Sequence, residues 1–188
     1  MTALADRTMT VEEFLASATE REGKWELVDG RASAMSPERV IHGDLKYRVA
    51  RTLDAALTKE KIPCRFVLDS AAVKIDAHNS FQPDAMVYCG EPLPPDAFFV
   101  PNPIVVVEIP TPGTARRDSY QKLAGYFKVK SVAHYLIVNP DAPLIIHHQR
   151  HGDDILTRIV RAGTIKLDPP GIEVAVAEVY GAAVSREP

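Results

Sequence analysis

The chain contains little cysteine. Its 188 residues include two cysteines, Cys64 and Cys89, which lie too far apart for a C-x-x-C motif. The sequence therefore predicts neither a disulfide framework nor a structural zinc site, and it favours a reducing cytoplasm as the compartment.

Long apolar runs and an excess of positive charge are also missing. No apolar stretch reaches the roughly 18 residues of a membrane-spanning helix, so no association with a membrane is expected. The N-terminus MTALADRTMTVEEF lacks a basic segment followed by an apolar one, so no signal peptide is expected. The formal net charge of -3 argues against a protein that coats nucleic acid by electrostatics alone.

What the chain does contain is the composition of an ordinary globular domain. Hydrophobic residues make up 46% of the sequence and charged residues 25%, and a chain of this length can bury its own core. We expect one domain over residues 1–188, with a loose tail over residues 1–8.

Local signals predict the first elements. Thr10, followed by acidic residues, caps a short helix in TVEEFLA. Asp29-Gly30 lies between two alternating segments and predicts a β-hairpin. Ser36 as a cap and Pro37 as the first helical residue predict a long second helix. Its apolar stripe comprises Val40, Leu45, Val49, Leu53 and Leu57.

The middle of the chain alternates strands with a helix. Strands are predicted over residues 64–75, 80–89, 104–109 and 132–140, and a helix over residues 114–129. The residues expected on the inner side of that helix are Tyr120, Leu123 and Phe127. The strand over 104–109 is apolar on both faces, which places it in the centre of a sheet. Short antiparallel β-segments finish the chain, and the order as a whole predicts an α/β domain with a mixed sheet.

Two carboxylates fall at strand ends that this order brings together. Asp84 lies at the start of one strand and Glu108 at the end of the next. If these strands pair antiparallel, the start of the first lies beside the end of the second. A buried carboxylate is costly unless it is paired, protonated or bound to a metal. Two carboxylates at one sheet edge suit a hard divalent cation with oxygen ligands, such as Mg²⁺.

Four segments, in their order and spacing, resemble a known family. They are WELVDGRASAMSP with His42 shortly after it, QPDAMVY, VVVEIPTPGTARRDSYQKLAGYF and AHYLIVNP, spanning roughly residues 25 to 140. Together they are similar to the Uma-type family of restriction endonucleases within the PD-(D/E)XK nuclease superfamily. The resemblance implies a restriction-endonuclease-like core of helix, three strands, helix and strand, with an N-terminal hairpin and C-terminal antiparallel β-segments. It also implies Mg²⁺- or Mn²⁺-dependent hydrolysis of DNA.

The resemblance also implies roles for individual residues. Asp84 and Glu108, helped by the backbone carbonyl of Ile109, would hold the metal. Pro110 occupies the lysine position of the superfamily motif, and Lys122 on the following helix would take the place of that lysine. Glu26 in the hairpin would be a further catalytic carboxylate.

Other residues are expected around this centre. His42, Asp118, Arg116 and Arg117 would contact the substrate or support the catalytic side chains. Asp118 and Lys122 are four positions apart and share one helix face, so a simple surface ion pair is the alternative role for Lys122. Glu108 could likewise pair with one of the two arginines.

Three interpretations of the whole chain follow from these residues. The first is a Mg²⁺-dependent DNA endonuclease acting as a cytoplasmic homodimer. The second is a degenerate nuclease fold that serves as a DNA-binding or assembly module, an alternative favoured by Pro110 and by the low net charge. The third is a metal-dependent phosphoesterase for small substrates.

Overall fold

A short helix and a hairpin open the part of the chain that the structure describes. The computed structural model describes residues 8–111 and 117–181, with the backbone alone at Thr19 and at residues 117–119; residues 1–7 of the predicted tail lie outside these ranges. Helix α1 (Val11–Ala16) begins at Thr10, whose side chain and that of Glu13 cap each other's backbone, as the sequence predicted.

The predicted hairpin around Asp29-Gly30 is confirmed. Strands β1 (Trp25–Val28) and β2 (Arg31–Ala34) pair antiparallel. Asp29 and Gly30 both have positive φ, 50° and 72°, which is the turn that matches the twist of the flanking strands. With β4 (Val73–Lys74) and β5 (Ser80–Phe81), the hairpin forms a four-stranded sheet in the order β2-β1-β5-β4.

The long second helix starts later than expected. Helix α2 runs over Val40–Glu60, and Arg39 rather than Ser36 is its N-cap. The Arg39 backbone N–H donates to His42 Nδ1, so a histidine contact within the first turn takes the place of the serine cap. Val40 is 84% exposed and does not belong to the apolar stripe, whereas Leu45, Val49, Leu53 and Leu57 are buried as predicted.

A six-stranded mixed sheet forms the centre of the fold. Its strands are β3 (Cys64–Leu68), β6 (Ala85–Cys89), β7 (Pro103–Glu108), β8 (His134–Val138), β9 (Ile145–His151) and β10 (Asp154–Val160). The order is β10-β9-β8-β7-β6-β3. Only the β7–β8 pair is parallel, so the predicted mixed sheet and the central position of β7 are both confirmed.

Two of the predicted strands are each divided between the two sheets. The strand expected over 64–75 breaks after β3 at Asp69, which has a positive φ of 46° and donates its backbone N–H to the Asp84 carbonyl. The strand expected over 80–89 breaks at Pro83, because proline has no N–H for a ladder hydrogen bond. Because of these breaks, β3 and β6 belong to the central sheet, whereas β4 and β5 belong to the four-stranded sheet.

Helices cover both faces of the central sheet. On one face, Val105 and Val107 share a core with α2, β12 (Ile172–Ala175) and α4 (Val176–Tyr180). On the other face, Val106 packs with Tyr126 of α3 (Arg117–Lys128). Because side chains alternate along a strand, Glu108 lies on the α3 side like Val106.

Two details of the helices correct the sequence analysis. Tyr120 was expected on the inner side of α3 but is 79% exposed, while Tyr126 is fully buried there with Phe127. The last segment was expected to be β throughout, yet after β11 (Thr164–Leu167) and β12 the chain turns into α4 at Val176. None of the helices in the described ranges has both the length and the apolarity needed to cross a bilayer.

The two cysteines form a disulfide, which corrects the expectation of no disulfide framework. Cys64 begins β3 and Cys89 ends β6, and the antiparallel register places them opposite each other. Their separation of 25 residues concealed this relation, because only the strand pairing brings them together. The bond also removes the argument from unpaired cysteines for a reducing cytoplasm.

Candidate active site

A polar cavity of about 110 Å³ opens where β7 ends and β6 begins. In the register of these strands Ala85 pairs with Val107, so Asp84 and Glu108 occupy adjacent positions just beyond that pair. The antiparallel arrangement predicted for the two strands is confirmed, and both carboxylates line the same cavity. Its other polar lining residues include Glu26, Glu38 and Lys122.

Asp84 is held by two donors. Its Oδ2 accepts a 2.5 Å hydrogen bond from the Ile109 backbone N–H, and its Oδ1 pairs with Lys46 Nζ at 2.8 Å. The side chain is buried, with the residue 5% exposed. Burial, and then the negative charge of Glu108, raise the pKa of Asp84 to about 6, against the opposing effects of Lys46 and the Ile109 N–H.

Glu108 receives two side chains from α3. Its Oε1 accepts hydrogen bonds from Lys122 Nζ at 2.9 Å and from the Tyr126 hydroxyl at 2.6 Å. These residues are four positions apart and therefore share one helix face. Burial raises the pKa of Glu108; Lys122 opposes this effect, and the charge of Glu26 adds to it. Burial beside this carboxylate also raises the pKa of Tyr126, so its hydroxyl remains a donor.

Lys122 lies between two carboxylates. Its Nζ is 3.0 Å from Glu26 Oε1 and 2.9 Å from Glu108 Oε1. Burial alone would lower the pKa of Lys122, but the charges of these two carboxylates outweigh it and raise the pKa, which keeps the ammonium charged. Glu26 Oε1 also accepts from the Gln82 backbone N–H at 2.8 Å, which ties the hairpin to the segment that precedes Asp84.

Lys46 is one of the site residues that the sequence analysis did not identify. It projects from α2 and is only 5% exposed. Its Nζ contacts Glu38 Oε1 at 2.6 Å, Asp69 Oδ2 at 3.0 Å and Asp84 Oδ1 at 2.8 Å. An ammonium has three donors, so all three are directed at carboxylates. The helical spacing could have indicated its burial, because Lys46 lies one turn after His42 and one position after Leu45, which are both on the buried face of the helix.

The remaining predicted residues take different positions. His42 is fully buried, and its Nε2 lies 3.4 Å from the Pro110 carbonyl oxygen, so it supports the segment after Glu108. Ile109 contacts Asp84 through its N–H. Arg116 lies outside the described residues, as do the side chains of Arg117 and Asp118.

The donor chemistry of the cavity fits a hard divalent cation. Five carboxylates belong to the network against three lysines; they are Glu26, Glu38, Asp69, Asp84 and Glu108, and the lysines are Lys24, Lys46 and Lys122. Among the described residues, Asp69 Oδ1 is a buried carboxylate oxygen without a hydrogen-bond partner; Asp69 does not line the cavity but shares Lys46 with Asp84. No three His, Cys, Asp or Glu side chains in the described ranges are grouped closely enough to hold a metal, but Mg²⁺ typically needs only one or two protein carboxylates, with water and phosphate completing its shell.

Comparison with known proteins identifies the family. The Uma2 family model, described as "Putative restriction endonuclease", matches residues 11–177. A relative from Synechocystis sp., "Uncharacterized protein sll1609", is 24% identical over 155 residues, covering 81% of this chain and 87% of the relative.

A solved structure supports the fold. The chain is similar to the crystal structure of "a putative nuclease belonging to DUF820" from Anabaena variabilis, with a TM-score of 0.71 and 13% identity over 92% of this chain and 97% of that one. The restriction-endonuclease-like fold expected from the sequence is thereby confirmed. Since the family model covers most of its length, the chain belongs to the Uma2 family.

Proposed function

We propose that the protein is a Mg²⁺-dependent endonuclease that hydrolyses DNA phosphodiester bonds, with Mn²⁺ as an alternative metal. The observation that carries the proposal is the pair of buried carboxylates, Asp84 and Glu108, lining one cavity at the same sheet edge. Both are costly to bury, and the charge of Glu108 raises the pKa of Asp84. A divalent cation would relieve this repulsion.

The metal ligands in this proposal come from the strand ends. Asp84, Glu108 and the Ile109 carbonyl would hold the ion, with Glu26 reaching it directly or through water. A bound Mg²⁺ ion would supply acidification of a water molecule and stabilisation of the charge that develops on the phosphate. The hydrogen bonds from the Ile109 N–H and the Tyr126 hydroxyl fix one oxygen of each main ligand.

Lys122 takes the part of the lysine that the superfamily motif places at Pro110. Its ammonium, kept charged by Glu26 and Glu108, lines the cavity and would orient the attacking water or polarise the phosphate. The hydrogen bonds of Lys122 to Glu26 and Glu108 bring it to the catalytic carboxylates and favour this role over a surface pair with Asp118.

DNA and a second copy of the chain are the partners in this proposal. Arg116 and Arg117, near the start of α3, would contact phosphates, while His42 and Asp118 would support the site. Because the chain has a net charge of -3, we expect weak, salt-sensitive DNA binding unless two copies combine their basic residues.

Cleavage of supercoiled plasmid tests the proposal. With Mg²⁺ or Mn²⁺, the wild type is expected to nick the plasmid, whereas Asp84→Asn and Glu108→Gln are expected to be inactive. Glu12→Gln is the matched control, because Glu12 pairs with Lys74 on an exposed part of the surface. DNA binding without cleavage by the wild type would support a binding module instead, and turnover of small phosphodiesters alone would support a phosphoesterase.

A further inference from the structure

The strand β10 forms an exposed edge of the central sheet. In the part of the chain that the structure describes, β10 pairs with β9 alone. Every residue from Asp154 to Ile159 is exposed, including three large apolar residues, Ile155, Leu156 and Ile159. Edge strands are usually protected by charged side chains, especially lysine, or by proline, a bulge or a cover, because their free N–H and C=O groups pair readily with another strand. β10 contains neither proline nor lysine, its two charged residues Asp154 and Arg158 are of opposite sign, and its register with β9 is unbroken.

The hairpin register determines which backbone groups face outward. β9 and β10 are joined by the two-residue turn Gly152-Asp153, closed by the pair His151 and Asp154. In a hairpin with a two-residue turn, the closing pair exchanges hydrogen bonds, and such pairs then alternate with pairs that do not. Ile155, Thr157 and Ile159 fall at the second kind of pair. Their N–H and C=O groups therefore point to the free edge.

The charge pattern of the strand is complementary to itself when it is reversed. Asp153 and Asp154 lie at its beginning, and Arg158 and Arg161 lie at its end. A second copy running antiparallel would place the acidic start of one strand against the basic end of the other. A parallel copy would place like charges together, which is unfavourable.

We propose that β10 pairs with β10 of a second copy of this chain, antiparallel about a two-fold axis at Thr157. In this register Thr157 meets Thr157 of the second copy, and Ile155 meets Ile159. The three outward-facing residues of each strand would form hydrogen-bonded pairs, each exchanging two hydrogen bonds. Asp153 would lie opposite Arg161, and Asp154 diagonal to Arg158.

This arrangement makes one continuous sheet through both copies. Because the two-fold axis reverses strand direction, the cavities at the ends of the two β7 strands lie toward opposite ends of the joined sheet. Each site would therefore act on its own stretch of DNA. The pairing rests on the edge strand alone and does not depend on nuclease activity.

Charge reversal tests the pairing. By sedimentation equilibrium, the wild type is expected to reach twice the 20.7 kDa of one chain. In Arg158→Glu/Arg161→Glu both ends of the strand are acidic, and the dimer dissociation constant should rise about tenfold or more. Adding Asp153→Lys/Asp154→Lys reverses the whole pattern and should restore the dimer. Lys166→Glu, at an exposed position on β11, is the control and should leave the dimer intact.

A backbone variant tests the hydrogen bonds separately. Thr157→Pro removes one outward-facing N–H without removing a ladder bond to β9, and it should yield a monomer with an unchanged circular dichroism spectrum. A wild type that stays monomeric at all concentrations would overturn the proposal. So would a dimer that persists in the double charge variant or is not restored in the quadruple variant.

Discussion

Removing the hydroxyl of Tyr126 tests the electrostatics of the site with one atom. The side chain is fully buried, and its hydroxyl donates to Glu108 Oε1 at 2.6 Å. In Tyr126→Phe the ring can keep its contacts with Phe81 and Tyr135, while the buried carboxylate loses a donor. A hydrogen bond to a charged group contributes about 1.5–3 kcal/mol. We therefore expect the free energy of unfolding at pH 8 to fall by about 2 kcal/mol, and Tm to fall by about 4–8 °C.

The expected loss depends on the charge of Glu108. The hydroxyl favours the ionised carboxylate, so its removal raises the already elevated pKa of Glu108 further. The decrease in the free energy of unfolding caused by Tyr126→Phe should be larger at pH 8 than at acidic pH, where Glu108 becomes protonated. In a Glu108→Gln background this decrease should be only about 1 kcal/mol, the contribution of a neutral hydrogen bond.

Urea unfolding followed by circular dichroism measures these differences. Tyr120→Phe, on the same helix but 79% exposed, is the matched control and should change stability by less than about 0.5 kcal/mol. The electrostatic account of the site is wrong if Tyr126→Phe lowers the free energy of unfolding as little as this control does. It is also wrong if the decrease is the same in the wild type and in Glu108→Gln.

Three further predictions concern the two buried lysines of the site and one buried histidine outside it. Lys122→Met should lower turnover, measured by plasmid nicking, at least about tenfold, and should retain Mn²⁺ binding, measured by calorimetry. Unchanged turnover would show that Lys122 has a structural role only. Lys46→Met should tighten Mn²⁺ binding about tenfold by removing a positive charge beside Asp84. It should also lower turnover, because Asp84 loses a positioning donor. Lys59→Met, at an exposed position on the same helix, is the control, and equal affinity in all three proteins would contradict the prediction. Burial, and then His134, lower the pKa of His147 from 6.5 to about 4. The unfolded chain therefore binds this proton at a higher pH than the folded chain does. The free energy of unfolding is highest above pH 6.5, and up to about 3 kcal/mol of it is lost as the pH falls to about 4. Urea unfolding at pH 7 and pH 4.5 measures this dependence, and His147→Leu should reduce the difference in the free energy of unfolding between the two pH values. An unchanged difference would refute the prediction.

The convergence of the two strand-end carboxylates could be predicted from the sequence. Element order favours antiparallel pairing of β6 and β7, because the 13 residues that connect them contain no helix of the kind that usually joins parallel strands. This pairing places Asp84 beside Glu108. The shared helix face of Lys122 and Tyr126 likewise follows from their spacing of four residues, and both side chains contact Glu108. These inferences need only periodicity and topology.

Features that depend on tertiary packing could not be predicted in this way. The Cys64–Cys89 bond requires the exact register of β3 with β6. Lys46 resembled an ordinary helix-surface lysine, because its acceptors Glu38, Asp69 and Asp84 come from three separate segments. Tyr120 was misplaced because its spacing from Leu123 suits a buried stripe, although the helix turns a neighbouring face, with Tyr126, toward the sheet.

Anomalous diffraction from a crystal soaked in Mn²⁺ tests the central claim most directly. A metal shared by Asp84 and Glu108 should give a peak about 2.1 Å from a carboxylate oxygen of each, with Lys46 and Lys122 moved away from the oxygens that the metal takes. The same peak should be missing in crystals of Asp84→Asn. A soaked wild-type crystal with no anomalous density between these two carboxylates would contradict the account.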